Sequence, residues 1–183
     1  MKKNKLTWSV ALLLIVAFGL PTSVWAQSDK DKELMEDSKK AQAEFIKSDG
    51  LMKNLFDKSI GYVIFPNVGK GGIGVGGAAG NGILYENGNA VGSAKMKQVS
   101  VGFQFGGQSY REVIFFENKA ALDRFKEDKF EFSAQASAVA VKSGASADAK
   151  YRDGVMVFTQ EKGGLMYEAA VGGQKFSFDA FSK

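Results

Sequence analysis

A run of glycines alternating with β-branched residues constrains this 183-residue chain more than any other feature. Between Gly69 and Gly77, glycines alternate with Ile73 and Val75 at a period of two, the side-chain period of a β-strand. Such a strand has one apolar face and one face of nearly bare backbone. Because glycine in a strand often marks a bend or the close approach of another group, this run predicts a strongly bent antiparallel sheet or a barrel-like β core.

The sequence after Ser59 predicts further strands. The apolar run over 60–65 should end at Pro66 and Asn67, and Asn87-Gly88 favours a tight hairpin because both positions tolerate a positive φ. Asn118 can cap one short helix over 119–126. We expect the remaining strands over 83–85, 90–96, 99–105, 110–116, 130–140, 155–159 and 165–171, the last two forming a hairpin. The alternation over 99–105 predicts a half-buried strand with Val99 on its apolar, buried face.

The segment 27–58 differs from the rest because it is charged and poor in glycine. Its apolar residues recur mostly at helical spacing, which predicts one or two amphipathic helices with a break near Ser48-Asp49-Gly50. The expected fold class is therefore α+β and β-rich. We expect the helical segment 27–58 and the glycine-rich β part 59–183 to form one domain.

The first 26 residues have the layout of a secretory signal peptide. A basic start, an apolar run over 10–20 and the helix-ending Pro21 precede a small residue at Ala26. An uncleaved anchor is the second interpretation, because the apolar run is shorter than the ~20 residues of a spanning helix. We expect an exported protein that is periplasmic or secreted, with the option of peripheral membrane association.

Removal of this segment changes the charge of the chain. The full sequence has 24 Lys and Arg against 20 Asp and Glu, and the segment contains three of the lysines and no acid, so 21 − 20 leaves +1. A protein with so small a net charge lacks the global basic field that nucleic acid binding requires. We therefore expect no nucleic-acid partner.

The residue inventory argues against catalysis. Histidine and cysteine are both absent, which removes the commonest general base, the commonest metal ligand and the thiol nucleophile. Glu112 is the one acid expected within a strand, and we interpret it as part of a solvated strand face. The sequence thus predicts no catalytic residue, no metal site, no cofactor and no enzyme activity.

Two apparent nucleotide motifs in the glycine run do not meet their structural conditions. Residues 72–77 (GIGVGG) match G-x-G-x-x-G formally, but strand-like sequence follows where a dinucleotide site needs a helix. Lys70 is not followed by Ser or Thr, as a P-loop lysine would be. We reject both interpretations.

The amphipathic segment has two interpretations. Its apolar face can cover the sheet, as most amphipathic helices do, and this is the favoured one because acids lie between the lysines. Alternatively the segment contacts an anionic membrane. The residues that would make this contact are Lys39, Lys40, Phe45, Lys47, Met52, Lys53 and Phe56.

Several short blocks, taken in order, resemble the SYLF domain family. They are 61–66 (GYVIFP), 70–77 (KGGIGVGG), 80–82 (GNG), 100–108 (SVGFQFGGQ) and 162–165 (KGGL) followed by Gly172. The resemblance implies a compact β-rich fold with small flanking helices and an affinity for membrane lipids. In a bacterial protein, anionic phospholipid is the ligand that this resemblance suggests.

The leading hypothesis is a non-catalytic protein that binds lipid or a membrane surface in the bacterial envelope. A bare glycine backbone would let a headgroup approach closely, and nearby lysines would supply positive charge. The candidate lipid-binding residues are Lys70, Gly71, Gly72, Gly74, Gly76, Lys95 and Lys97. The alternative is a structural or stress-related periplasmic protein that acts through a protein partner or self-association, for example by strand addition.

Overall fold

The computed structural model describes residues 23–73, 75–101, 108–133, 137–162 and 169–182. Its elements in chain order are α1 (Ser23–Ser48), α2 (Met52–Lys58), β1 (Gly61–Ile73), β2 (Val75–Glu86), β3 (Asn89–Val101), β4 (Gln108–Phe116), α3 (Lys119–Lys126), β5 (Ser137–Ala140), β6 (Val155–Glu161), β7 (Ala169–Ala170) and β8 (Gln174–Ala180). The expected α+β, β-rich class is confirmed. Of the predicted signal peptide, residues 1–22 lie outside the described part of the chain.

The strands form one mostly antiparallel sheet in the order β7-β5-β6-β4-β1-β2-β3-β8. Strands β4 and β8 are four strand spacings apart in this order, which is about 19 Å in a flat sheet. Nevertheless Gln174 on β8 donates a hydrogen bond from Nε2 to Glu112 Oε2 on β4 at 3.0 Å. The sheet is therefore strongly curled, and these side chains meet across its concave side.

Aromatic rings fill the concave side of the sheet. Phe176 on β8 lies with its ring centroid 5.8 Å from that of Phe65 on β1 and 5.4 Å from that of Phe125 on α3. Phe130 and Phe132 join the same cluster from the segment after α3. This inner core ties together strands that are distant in the sheet order, and it adds a large buried apolar area.

A second core lies on the convex side, under the N-terminal helices. Phe45 of α1 and Phe56 of α2 pack with Tyr62, Ile64 and Phe115 of the sheet. Strands β1 and β4 are thus buried on both faces, which explains why their sequences read as near-continuous apolar runs. Among the described helices, none combines the length and apolar character that crossing a bilayer demands.

The break between α1 and α2 falls at the predicted position. Asp49 lies 3% exposed at this junction, where its carboxylate accepts hydrogen bonds from the backbone N–H groups of Leu51 and Ser146 and from the Ser146 hydroxyl. Burial opposes ionisation of Asp49, but these donors outweigh it and hold its pKa below the ordinary value. Asp49 therefore fastens the loop between β5 and β6 to the helical segment.

The expected end of the first strand at Pro66 is wrong. Strand β1 continues to Ile73, and its register with β2 shifts between Ile64 and Asn67. Proline has no N–H to donate to a ladder, so it is accommodated at an irregularity rather than at the end of the strand. The predicted hairpin at Asn87 and Gly88 is confirmed, since both have positive φ values of 49° and 78°.

One strand prediction in the C-terminal half is wrong, and a second falls partly outside the described residues. The alternation over 130–140 forms no continuous strand: Glu131 makes an isolated bridge with Lys175, and β5 begins only at Ser137, with 134–136 outside the described residues. The predicted hairpin of 155–159 with 165–171 falls largely on 163–168, which lie outside the described residues. Strand β6 pairs with β4 and, in parallel, with β5, whereas β7 pairs with β5.

The glycines of the sheet differ in how much space surrounds the methyl group that a substitution by alanine would add. A Cβ at Gly82 would lie 2.6 Å from the Ile64 carbonyl oxygen and 2.7 Å from the Phe65 ring, whereas a Cβ at Gly69 meets no atom within 4 Å. We expect Gly82→Ala to lower the free energy of unfolding by about 1–3 kcal/mol, because the sheet must move to accept the methyl group. Gly69→Ala should change it by less than about 0.5 kcal/mol.

Urea denaturation of the two variants beside the parent protein measures this difference. Equal stabilities for Gly82→Ala and the parent would contradict the close contact between β1 and β2 at this position.

Candidate functional site

The convex face of the sheet is covered by helices over only part of its length. Beyond Pro66 on β1 and before Ile83 on β2, the outward-facing residues are exposed or half-buried. We call this uncovered area the glycine platform. It consists of Asn67, Gly69 and Gly71 on β1 and Gly77, Ala79 and Asn81 on β2, which lie directly opposite one another in the register.

The fold does not require the two glycines of β1 in this platform. Added Cβ atoms at Gly69 and Gly71 would meet nothing within 4 Å, and neither residue has a positive φ. Gly77 differs, since its Cβ would lie 3.0 Å from the backbone oxygen of Gln98. The backbone at the exposed Gly69 and the half-buried Gly71 is therefore open to close approach from outside the chain.

Strand β3 borders the platform with two lysines and an exposed valine. Lys95, Lys97 and Val99 lie opposite Asn81, Ala79 and Gly77, respectively, and so share their face. The expectation that Val99 belongs to the buried face is wrong: its side chain is 77% exposed. Ala94 and Met96 are buried on the inward face of β3, so the odd-numbered residues between them and after them point outward.

Positive charge is concentrated along this border. Lys97 on β3 lies directly opposite Lys175 on β8, and like charges in that relation are destabilising. Lys175 is offset by Glu131 at 3.4 Å, and Lys95 by Asp179 at 3.4 Å. No described residue forms an ion pair with Lys97 within 4.0 Å.

A second cationic pair lies at the other border of the platform. Lys162 donates a hydrogen bond from Nζ to Asn67 Oδ1 at 3.2 Å. Partial burial and, second, the nearby Arg111 guanidinium lower the pKa of Lys162. Cations therefore border the bare glycine backbone on two sides. They would attract an anionic partner, and the glycines leave it room to approach the backbone.

The predicted lipid-binding residues do not all lie together. Lys95 and Lys97 border the platform, and Gly71 belongs to it. Lys70 follows the inward-facing Val68 by two residues and lies opposite the inward Ala78, so it belongs to the rim of the concave side. Gly72 and Gly76 lie opposite each other near the end of the β1–β2 hairpin, and Gly74 lies outside the described residues.

The predicted membrane-contacting residues of the helical segment separate into two groups. Phe45, Met52 and Phe56 are 0–5% exposed and pack on the sheet. This agrees with the interpretation in which the apolar face of the helical segment covers the sheet. The lysines are exposed: they are Lys39, Lys40, Lys47 and Lys53. Lys40 pairs with Asp37 at 3.0 Å and Lys53 pairs with Asp57 at 2.5 Å, which reduces the local positive field.

The structure also shows a buried polar cluster that the sequence interpretation missed. Glu112 is 0% exposed on the concave side, which corrects its assignment to a solvated strand face. Tyr110, Ile114 and Phe116 lie on the same face of β4 as Glu112, at every second residue. This period of two was the feature of the sequence that could have predicted an inward position for Glu112. Burial raises the pKa of Glu112 to about 7, although the hydrogen bond from Gln174 acts in the opposite direction.

Comparison with known proteins identifies the domain. Residues 97–180, which include β3 from Lys97 onward and β8, match the model of the family described as "Ysc84: Las17-binding protein actin regulator". The chain contains a Ysc84, or SYLF, domain. The resemblance seen in the sequence is thus confirmed, and the family is one of non-enzymatic binding domains.

A curated relative is Beta cell expansion factor A of Aeromonas veronii, which is 32% identical over 129 residues. The match covers 69% of this chain and 49% of the relative, so this chain spans about half the length of that protein.

The packing of α1 can be tested at Phe45. We expect Phe45→Ala to reduce the free energy of unfolding by about 3–5 kcal/mol, because it removes a buried ring from the core between α1 and the sheet. Lys47→Ala, two residues along the same helix on an exposed position, is the matched control and should change stability little. Thermal unfolding followed by circular dichroism compares the two, and a small loss for Phe45→Ala would contradict a docked α1.

Proposed function

We propose that this protein is a non-catalytic binding protein that attaches to anionic phospholipid at a membrane surface through the glycine platform. The observation that carries the proposal is the pairing of Lys97 with Lys175 beside exposed glycine backbone that the fold itself does not need. The membership in a family of binding domains supports it.

The charge arrangement favours an anionic ligand. Two opposed lysines repel each other in the free protein, and a phosphate group between them removes that repulsion while accepting hydrogen bonds from both. The platform presents no bulky side chain at Gly69 or Gly71, so a headgroup can come within contact distance of the backbone. The gain from such contacts depends on salt, because exposed charges are screened at high ionic strength.

The exposed valine gives the platform a short apolar contact. Val99 lies two residues beyond Lys97 on the same face and is 77% exposed. An apolar side chain next to cations suits the boundary between headgroups and acyl chains, where both kinds of contact are available. If the predicted signal peptide is cleaved, this surface faces lipid outside the cytoplasm, in the bacterial envelope.

Attachment of a protein partner by strand addition is less favoured at β8. The chain itself occupies part of that edge: Phe132 donates its backbone N–H to Gln174 O at 3.1 Å, and Asp128 Oδ1 accepts from the Phe178 backbone N–H at 2.7 Å. A partner strand would have to displace these bonds. A protein partner that docks on the platform is the second outcome that the following experiment addresses.

Vesicle co-sedimentation tests the proposal. The protein should bind phosphatidylglycerol vesicles at low salt, bind phosphatidylcholine vesicles weakly, and lose most binding at high salt. The double variant Lys97→Gln/Lys175→Gln should weaken binding about tenfold or more, because each basic residue near an anionic surface contributes appreciably to attraction.

The matched control is Lys142→Gln/Lys150→Gln, which removes two exposed lysines from the loop region next to the helical segment. It changes the net charge equally and should leave binding near that of the parent. Equal losses in both double variants would mean that net charge alone, not the platform, governs attachment. A parent protein that binds no vesicle would overturn the proposal, and a co-purifying protein seen by light scattering would then favour the protein partner.

A further inference from the structure

The buried pair of Glu112 and Gln174 contains two oxygen atoms without donors. Gln174 Nε2 donates to Glu112 Oε2 at 3.0 Å, and Tyr110 Oη lies 3.4 Å from the same nitrogen. Among the described residues, no donor reaches Glu112 Oε1 or Gln174 Oε1, and both residues are 0% exposed. An unsatisfied buried acceptor is costly, and two on one hydrogen-bonded pair need a common explanation.

One proton satisfies both atoms. A carboxylic acid and a primary amide form a cyclic pair in which the amide N–H donates to the acid carbonyl and the acid O–H donates to the amide oxygen. The first of these bonds is present, and the two unsatisfied atoms are the ones that the second bond would join. An ionised Glu112 could accept from Gln174 but could not donate to it.

We infer that Glu112 carries a proton in the folded protein and forms a cyclic acid–amide pair with Gln174, and that this pair is a pH-sensitive latch holding β8 to β4 across the curl. Loss of the proton removes one hydrogen bond, sets two oxygen lone pairs against each other and leaves a charge in an apolar interior. The expected consequence above neutral pH is loosening of β8 from the concave side.

Among the residues that the structure describes, none supplies a compensating cation to Glu112. Its register neighbours are Phe65 on β1 and Thr159 on β6, and α3 and the segment after it present phenylalanine rings to the same core. The described titratable groups on this face are Tyr110 on β4, Glu161 opposite it on β6, and Lys70 at the rim on β1, while β3 and β8 contribute the amides Gln98 and Gln174. No described residue forms an ion pair with Glu112.

The sign of the pH effect follows from the direction of the pKa shift. Burial raises the pKa of Glu112 from 4.5 to about 7, so the folded state holds a proton that the unfolded chain gives up earlier. Its contribution to stability is fully present below pH 4.5 and is lost as pH rises through about 7. The unfolding equilibrium constant should therefore rise on the order of a hundredfold from this group alone.

The latch is one residue away from the lysine pair that borders the glycine platform. Lys175, the residue after Gln174, faces outward opposite Lys97. Backbone bonds from Phe132 and Gly173 meet at the same junction, and Gln98 Nε2 donates to Gly172 O at 2.9 Å. Release of Gln174 would therefore disturb the start of β8 and with it the position of Lys175.

Infrared spectroscopy and hydrogen exchange test the inference in the full protein. At pH about 6, exposed carboxyl groups are ionised, so the parent should show the carbonyl stretch of one protonated carboxylic acid that Glu112→Gln lacks. Glu112→Gln keeps the shape and replaces the acid by an amide, which can still pair with Gln174. In the parent, exchange in β8, normalised for intrinsic rate, should increase between pH about 6 and 8.5.

Glu112→Gln should abolish this increase in exchange, and Glu117→Gln, an exposed glutamate just after β4, should retain it. Gln174→Leu, which removes the amide partner, should raise exchange in β8 at both pH values. Absence of a protonated-acid band in the parent, or the same pH dependence in Glu112→Gln as in the parent, would overturn the inference. Vesicle binding does not enter these readouts, so the latch and the proposed function fail independently.

Discussion

The curl of the sheet depends on contacts between strands that are not neighbours. The hydrogen bond between Gln174 and Glu112 joins β8 to β4 with three strands between them, and Phe176 reaches Phe65 and Phe125 across the same space. Twist alone bends a sheet gradually, but it does not bring strands so far apart into contact. Burial of the aromatic cluster favours the curled form of the sheet, and the hydrogen bond between Gln174 and Glu112 fixes which residues of β8 and β4 meet.

The two faces of β1 show how one strand contributes both to the core and to the proposed binding surface. Toward its start, Tyr62 and Ile64 are buried under the helices, and Val63 and Phe65 are buried in the curl. Beyond the irregularity near Pro66, the inward face stays apolar at Val68 while the outward face becomes exposed glycine. Glycines that permit close packing, such as Gly82, thus lie in the same sheet as glycines whose Cβ would meet open space.

Local patterns in the sequence predicted the fold class, the break at Asp49, the hairpin at Asn87 and the cap at Asn118, because each depends on neighbouring residues. The inward position of Glu112 and the outward position of Val99 were missed. Which face of a strand is buried depends on how the sheet packs against elements that are distant in the sequence. The residues next to Glu112 and Val99 do not show this packing. Lys70 was separated from Lys95 and Lys97 for the same reason: sequence shows that lysines are near glycines, but only the register shows which face they share.

At the register shift between Ile64 and Asn67, the convex face changes from a part that is covered by helices to a part that is uncovered. The two parts differ in the substitutions that the fold tolerates. On the helix-covered part, an altered side chain disturbs a packed interior, so related chains must keep its size and shape there. On the uncovered part, Gly69 and Gly71 have room for a side chain, so they can change at little cost to folding. Retention of glycine at these two positions among relatives would therefore point to a ligand rather than to a requirement of folding.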